Sequence, residues 1–143
     1  MLLIHLESPS LTCLILKKLA SRPLRDFTRG DDSLKRAVEL VFGGLLEQVD
    51  VTLSRYFSKQ YPIAWIAPWF ALHITNLHAA SQLMDVFLVS HATIPIYMAV
   101  ALGCQYRQKL LAATTSDFHE VLCNLPPDLP LEESLENVIS LTL

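Results

Sequence analysis

Histidines and cysteines are the side chains of this sequence that could bind a metal ion or attack a substrate, and their spacing argues against both roles. His73 and His78 are five residues apart, which places them about 140° apart around a helix rather than on one face. Structural zinc sites draw four Cys or His ligands from short, regular spacings, and the sequence shows no such set. We therefore expect histidines in the core or in solvent, and no metal site.

The three cysteines are far apart in the sequence and form no CxxC pair. Cys13, Cys104 and Cys123 are predicted to be small buried side chains in a reducing compartment. Cys104 lies in an apolar stretch, which raises the pKa of a thiol and makes it a poor nucleophile. The nucleophile motif GxSxG and the phosphate-binding motifs GxxxxGK[ST] and GxGxxG are all missing. The sequence thus predicts neither a hydrolase nor a protein that binds nucleotide itself.

Asp85 is the only formal charge between Lys59 and Arg107. Because its neighbours are mostly apolar, we expect the carboxylate to be buried. Burying a carboxylate is costly unless it is paired or hydrogen-bonded, so a buried Asp85 implies a fixed partner. That role could be structural or functional, and we favour the structural one.

Composition excludes several other classes of protein. The chain has 143 residues, of which 52% are hydrophobic and 17% are charged, and its formal net charge is -3. Disordered chains combine low hydrophobicity with high net charge, so disorder is excluded. Residues 1–60 hold nine Lys or Arg against seven Asp or Glu, and residues 61–143 hold two against seven. Neither half carries the basic patch that nucleic acid requires, so no nucleic-acid partner is expected.

Helical periodicity and capping residues organise the first half of the chain. Ser8 and Pro9 predict the start of a helix that ends before Arg22-Pro23. A second helix begins at Asp32 or Ser33, and its core stripe is predicted to contain Leu34, Ala37, Val38, Val41, Leu45, Leu46 and Val49. The pair Gly43-Gly44 inside it suggests close packing or a bend. Asp50 is predicted to cap a short helix that ends at Tyr56.

The second half also shows helical patterns and no alternation typical of a strand. Pro62 is predicted to open a helix that carries Trp65, Trp69 and Phe70, and further helices are predicted over residues 79–89, 94–111, 115–124 and 131–143. The prolines between Leu125 and Pro130 interrupt the helical pattern. The predicted fold class is all-α, with about eight short helices.

Residues 86–106 form a run of 21 residues without a formal charge. A bilayer-spanning helix needs about 20 apolar residues, so a membrane-protein fragment is one interpretation of the chain. His91, Thr93 and Pro95 near the middle favour the alternative, two packed helices that meet near Thr93-Ile94-Pro95. The N-terminus has neither the basic region nor the cleavage site of a signal peptide.

Three segments of the second half, taken in order, form a recognisable pattern. They are YPIAWIAPWF, QLMDVFLVSH and IPIYMAVAL. This order of an aromatic-rich helix, a helix with Asp before Phe-Leu, and an apolar helix resembles the C-terminal half of the TBC domain of Rab GTPase-activating proteins. The residues that carry the resemblance are Trp65, Trp69, Phe70, Asp85, Phe87 and Leu88. Gln82 and Met84 stand where the family has a basic and an aromatic residue.

Further segments resemble one branch of that family, the endoplasmic-reticulum-associated TBC proteins that act on the Rab of early secretory traffic. The segment LRDF consists of Leu24, Arg25, Asp26 and Phe27. Pro95-Ile96-Tyr97 is similar to the branch's MPIY segment, and residues 126–130 to its IPQDLP segment. The resemblance predicts a partial TBC domain over residues 1–143, with the best match over residues 61–143.

The resemblance implies an activator of a Rab-family small GTPase in vesicle traffic, on the cytosolic face of the endoplasmic reticulum or early secretory membranes. The Rab would carry the GTP and Mg²⁺, so no cofactor and no small-molecule substrate are expected for this chain, and membrane association would come only from other regions. The family's catalytic Arg and Gln belong to IxxDxxR and YxQ motifs ahead of the matched segments, and we expect neither motif in these 143 residues.

No catalytic residue is therefore predicted in this chain, and the isolated chain is expected to be weak or inactive as an activator. The twelve motif residues are expected to be structural. A different interpretation remains open, in which the chain is a non-catalytic helical adaptor, or pseudo-activator, that binds a small GTPase.

Overall fold

Eight helices occur in the part of the chain that the computed structural model describes, which is residues 8–21, 24–25, 32–58, 62–71, 73–74, 76–113 and 131–142. No strand occurs within those ranges, and the prediction of an all-α fold is confirmed. The helices are α1 (Pro9–Ser21), α2 (Asp32–Val49), α3 (Val51–Phe57), α4 (Ile63–Ile66), α5 (Leu77–Val89), α6 (Ile94–Gln105), α7 (Arg107–Ala112) and α8 (Leu131–Thr142).

Helix α6 is the centre of the fold. It packs against α2, α4, α7 and α8, and it is apolar around its whole circumference, as expected for a helix that other helices surround. Its buried residues are Pro95, Ile96, Met98, Ala99, Val100, Ala101, Leu102 and Gly103. Pro95 lies in the first turn, where its missing N–H would have no helical partner in any case.

Helix α2 turns one face to this core. Val38, Phe42 and Leu46 are buried at four-residue spacing, and Phe42 meets Phe57 of α3 edge-on at a ring-centroid distance of 5.3 Å. The predicted core stripe was therefore partly wrong, because Ala37, Val41 and Val49 are exposed and Phe42 was not included. Residues at three- and four-residue spacing lie on both sides of the core face, so this pattern alone does not separate buried from exposed positions.

The close packing that the pair Gly43-Gly44 suggested is not found at Gly44. A Cβ at Gly44 would meet no atom within 4 Å.

Two predicted helices are shorter than expected. The helix opened by Pro62 ends at Ile66, because Pro68 has no N–H with which to continue it, and Trp69 and Phe70 follow in a turn. The helix predicted over residues 94–111 is divided at Tyr106, whose backbone angles of φ -90° and ψ 11° lie outside the helical region.

The uncharged run of residues 86–106 consists of the end of α5, a break at residues 90–93, and α6. This confirms the predicted pair of helices. Among the described residues, no helix is long and apolar enough to cross a membrane. Asn76 caps α5 by accepting hydrogen bonds from the N–H groups of His78 and Ala79, at 3.0 and 3.3 Å.

Helix α8 covers α6 through an apolar and a polar contact. Val138 is buried, and the fully buried Ser134 donates a hydrogen bond from Oγ to Oε1 of Gln105 at 3.0 Å. The helix predicted over residues 115–124, the proline-rich residues 125–130, Cys123, Asp26 and Phe27 lie outside the described residues.

Candidate functional site

The aromatic residues of the predicted motif meet in one buried cluster between α4 and α5. The ring centroids of Trp65 and Phe70 are 6.1 Å apart. Phe87 of α5 lies 5.7 Å from Trp69, nearly edge-on, and 6.1 Å from Phe70. All four side chains are buried. The structure therefore brings together the first two matched segments through their aromatic residues, and this contact fixes the position of α5.

The turn that presents two of these rings has an uncommon backbone. Trp69 and Phe70 have φ angles of 50° and 62°, in the left-handed region, which costs roughly 1–2 kcal/mol for each residue with a side chain. The N–H of Phe70 bonds to the carbonyl of Trp65 at 2.7 Å, a six-residue closure of the kind that ends many helices. Burial of the two rings offsets the backbone cost.

Helix α5 carries the remaining motif residues on two opposite faces. Leu83 and Phe87 are buried, whereas Gln82, Asp85, Leu88 and Val89 are exposed. The expectation that Asp85 is buried with a fixed partner was wrong. Asp85 lies two residues from Phe87 and so about 200° around the helix, which places its carboxylate in water. The motif thus combines a core aromatic with an exposed polar and apolar surface, which we call the outer face of α5.

The other motif residues lie away from the aromatic cluster. Leu24 follows α1, packs against the core and donates its N–H to the carbonyl of Leu19 at 2.9 Å. Arg25 is exposed. Pro95 is buried in the first turn of α6, and Tyr97 is half-buried against the core. A structural role for Leu24, Pro95 and Tyr97 stays a prediction.

A polar contact between Asp50 and Arg107 was not predicted. Oδ1 of Asp50 accepts hydrogen bonds from the N–H groups of Thr52 and Leu53, both at 3.0 Å, which confirms the predicted cap of α3. Oδ2 of the same carboxylate accepts from Nε of Arg107, the first residue of α7. The bond from Leu53, followed by that from Arg107, lowers the pKa of Asp50. The pair joins the starts of α3 and α7.

The cysteines divide between two environments. Cys104 is half-buried near this pair, and burial, followed by the charge of Asp50, raises the pKa of its thiol. The direction agrees with the raised pKa expected for Cys104 in an apolar stretch. Cys13 is exposed on α1, so its predicted burial was wrong. Within the described ranges, no group of three His, Cys, Asp or Glu residues could hold a metal ion.

Comparison with known proteins gives relatives that are similar to most of the chain. No family model matches the chain. The chain is 25% identical over 126 residues to TBC1 domain family member 20 of Homo sapiens and of Bos taurus, covering 82% of this chain and 31% of the relative. It is 22% identical over 134 residues to the GTPase-activating protein gyp10 of Schizosaccharomyces pombe, covering 86% and 36%. The chain is thus similar over most of its length to proteins that are named for a TBC1 domain or as a GTPase-activating protein.

The chain spans about a third of the length of the curated relatives that it matches. The resemblance placed the family's Gln in a YxQ motif ahead of the matched segments. The expectation that YxQ is missing from these 143 residues was wrong, because the letters occur at Tyr106-Arg107-Gln108, although they lie after those segments. Gln108 is exposed on the short helix α7 and Arg107 is bound to Asp50. This triplet therefore does not take the place of the family motif.

The contact between Asp50 and Arg107 predicts a pH-dependent stability. We expect Asp50→Ala to lower the free energy of unfolding by about 0.5–2 kcal/mol at neutral pH, because the cap of α3 is lost. Asp50→Asn should lower it less, since asparagine also caps helices. The folded-state pKa of Asp50 lies below its ordinary value of 3.8, so the carboxylate contributes stability above pH 3.8 and loses that contribution as pH falls through the folded value.

Urea unfolding at neutral pH and near pH 3 would measure both effects. Both substitutions should make stability less dependent on pH over the acidic range, and only Asp50→Ala should remove the cap. An unchanged pH dependence in Asp50→Asn would contradict a stabilising role for the carboxylate charge.

Proposed function

We propose that the chain is the C-terminal half of a TBC domain and that its intact protein activates GTP hydrolysis by a Rab-family GTPase. The observation that supports this most directly is the match over 82–86% of the chain to relatives from mammals and fission yeast, one of them named a GTPase-activating protein. The all-α fold and the buried aromatic cluster agree with the motif pattern of that half-domain.

In this proposal the chain positions a partner and does not supply the catalytic groups. An activator accelerates GTP hydrolysis when its Arg stabilises the charge of the transition state, an effect of about 10³–10⁵ in rate. The segment ahead of the matched motifs has neither IxxDxxR nor YxQ. The chain contributes the packed helices α4, α5 and α6, whose cluster of Trp65, Trp69, Phe70 and Phe87 holds the outer face of α5 in a fixed position.

The Rab partner brings the nucleotide and Mg²⁺ in this proposal, so the chain itself needs no cofactor. The similarity of LRDF and of Pro95-Ile96-Tyr97 to the branch of early secretory traffic suggests that the intact protein acts at endoplasmic-reticulum or early secretory membranes. Regions other than this chain would provide membrane association.

Phosphate release from a GTP-loaded Rab under single-turnover conditions tests the proposal. The isolated chain should leave the intrinsic rate unchanged. A chimera that places a TBC segment carrying the family's IxxDxxR and YxQ motifs ahead of residue 8 should accelerate release by about 10³–10⁵. Replacing the Arg of IxxDxxR in that chimera by Ala should abolish the acceleration.

Two results would contradict the proposal. Strong acceleration by the isolated chain would mean that its own residues are catalytic. A folded chimera that accelerates hydrolysis on no Rab of a representative panel would mean that the chain does not complete a functional TBC domain.

A further inference from the structure

Helix α2 has a second apolar face, on the side opposite its core face. Val38, Phe42 and Leu46 face the core, whereas Ala37, Leu40, Val41 and Gly44 are exposed. Leu40 is 76% exposed and Val41 is 40% exposed. A helix at a protein surface usually carries charged and polar residues opposite its core face. The face formed by Ala37, Leu40, Val41 and Gly44, which we call the outer face of α2, departs from that pattern.

The outer face of α2 has a protruding side chain at Leu40 and an open space at Gly44. Leu40 extends into solvent, and one turn later the space where a Cβ of Gly44 would lie contains no atom within 4 Å. Small residues allow the backbones of two helices to approach closely. A leucine from an approaching helix would find room above Gly44, and Leu40 would find the same room above a glycine of its partner.

Two opposite charges lie along one edge of this face. Arg36 and Glu47 are both exposed, and at 100° per residue they lie only about 20° apart around α2, three turns from each other. When two identical helices pack antiparallel about a two-fold axis, each edge meets the same edge of the partner in reverse order. Arg36 of one copy then meets Glu47 of the other, and the contact occurs twice.

The same two-fold axis also places Leu40 of one copy opposite Gly44 of the other. The midpoint between Arg36 and Glu47 and the midpoint between Leu40 and Gly44 both fall at residues 41–42. One two-fold axis at that point therefore pairs both sets of residues. A parallel arrangement would place each charge against a different edge and would lose this match. The outer face of α2 is self-complementary in shape and in charge only when it is antiparallel.

We propose that the chain forms a homodimer through antiparallel packing of two α2 helices about a two-fold axis near Val41. Leu40 of each copy covers Gly44 of the other, and Arg36 pairs with Glu47 at the edge. Burial of the apolar side chains supplies the affinity, whereas the exposed ion pairs add little energy and set the orientation. One helix pair makes a small interface, so the dimer is weak and depends on concentration. This inference does not depend on the proposed activity toward a GTPase.

Sedimentation velocity of the full chain over a wide range of concentrations tests the dimer. The wild-type chain should pass from monomer to dimer as concentration rises. Leu40→Glu should raise the dissociation constant by about tenfold or more, because the dimer would bury a carboxylate. Leu14→Glu is the matched control, since Leu14 is 65% exposed on α1, and it should leave the dissociation constant unchanged. Circular dichroism should show the same helix content in both variants.

Charge reversal tests the orientation. Arg36→Glu and Glu47→Arg should each weaken the dimer, because each places like charges together, and the double variant should restore it. A chain that stays monomeric at every concentration would overturn the proposal, and would leave the outer face of α2 for another segment or partner. A dimer that resists Leu40→Glu, or that Leu14→Glu disrupts, would overturn it as well.

Discussion

Replacing Phe87 by alanine should lower the free energy of unfolding by about 3–5 kcal/mol, whereas replacing its neighbour Leu88 should lower it by less than about 1 kcal/mol. Phe87 is 3% exposed and packs against Trp69 and Phe70, whereas Leu88 is 47% exposed. Loss of the Phe87 ring removes the contact that fixes α5 and leaves a cavity between two aromatic rings. Phe87 and Leu88 belong to the same motif and differ in burial. A difference in stability between the two variants would therefore reflect burial and not membership of the motif.

Urea unfolding of the two variants, followed by circular dichroism and by tryptophan fluorescence, would measure this difference. Because Trp65 and Trp69 belong to the same cluster, Phe87→Ala should also change the fluorescence of the folded state, and Leu88→Ala should not. Similar losses of stability in the two variants would contradict the packing described for α5.

A second large effect is expected at Phe57, which is fully buried between α2 and α6. Phe57→Ala should cost about 3–5 kcal/mol, because it removes the edge-on contact with Phe42 and leaves a cavity. The cavity lies beside Gly103 of α6, where a Cβ would sit 3.5 Å from Cε2 of Phe57. A larger side chain at residue 103 would therefore extend into the space that Phe57 occupies.

This proximity predicts compensation between two unfavourable substitutions. Gly103→Val alone should destabilise by about 1–3 kcal/mol, because its methyl groups would press against the ring. Gly103→Val combined with Phe57→Ala should be more stable than Phe57→Ala alone, since the added methyl groups fill part of the cavity. A double-mutant cycle measured by urea unfolding would test this. Additive losses of stability would indicate that residues 57 and 103 are not in contact.

The capping residues made much of the fold predictable from the sequence. Ser8, Asp50 and the polar residues near Asn76 each have a local physical preference for a helix start, and the structure begins helices beside them. The choice between Val41 and Phe42 as a core residue could not be made in this way. Both satisfy helical spacing, and only the neighbours α3 and α6 decide which side of α2 is covered.

The aromatic residues of the candidate site were predictable from their pattern, but their geometry was not. Trp69 and Phe70 have no local preference for a left-handed backbone, which is stabilised by their burial against Phe87 and by the hydrogen bond from the N–H of Phe70 to the carbonyl of Trp65. The predicted burial of Asp85 was wrong because residues that are adjacent in the sequence lie on different faces of a helix. Apolar neighbours in the sequence therefore do not place a side chain in apolar surroundings. The contact of Asp50 with Arg107 joins residues 57 positions apart, and no local pattern signals such a pair.

The left-handed turn at Trp69 and Phe70 limits which substitutions these two positions can accept over evolutionary time. A β-branched residue such as valine would meet a high backbone cost at a positive φ, although it is apolar. Glycine would relieve the backbone but would empty the cluster around Phe87. Neither hydrophobicity nor flexibility alone is enough at these positions. We expect sequence drift there to be confined to large unbranched side chains, which makes the pair a sensitive marker when distant relatives of this chain are compared.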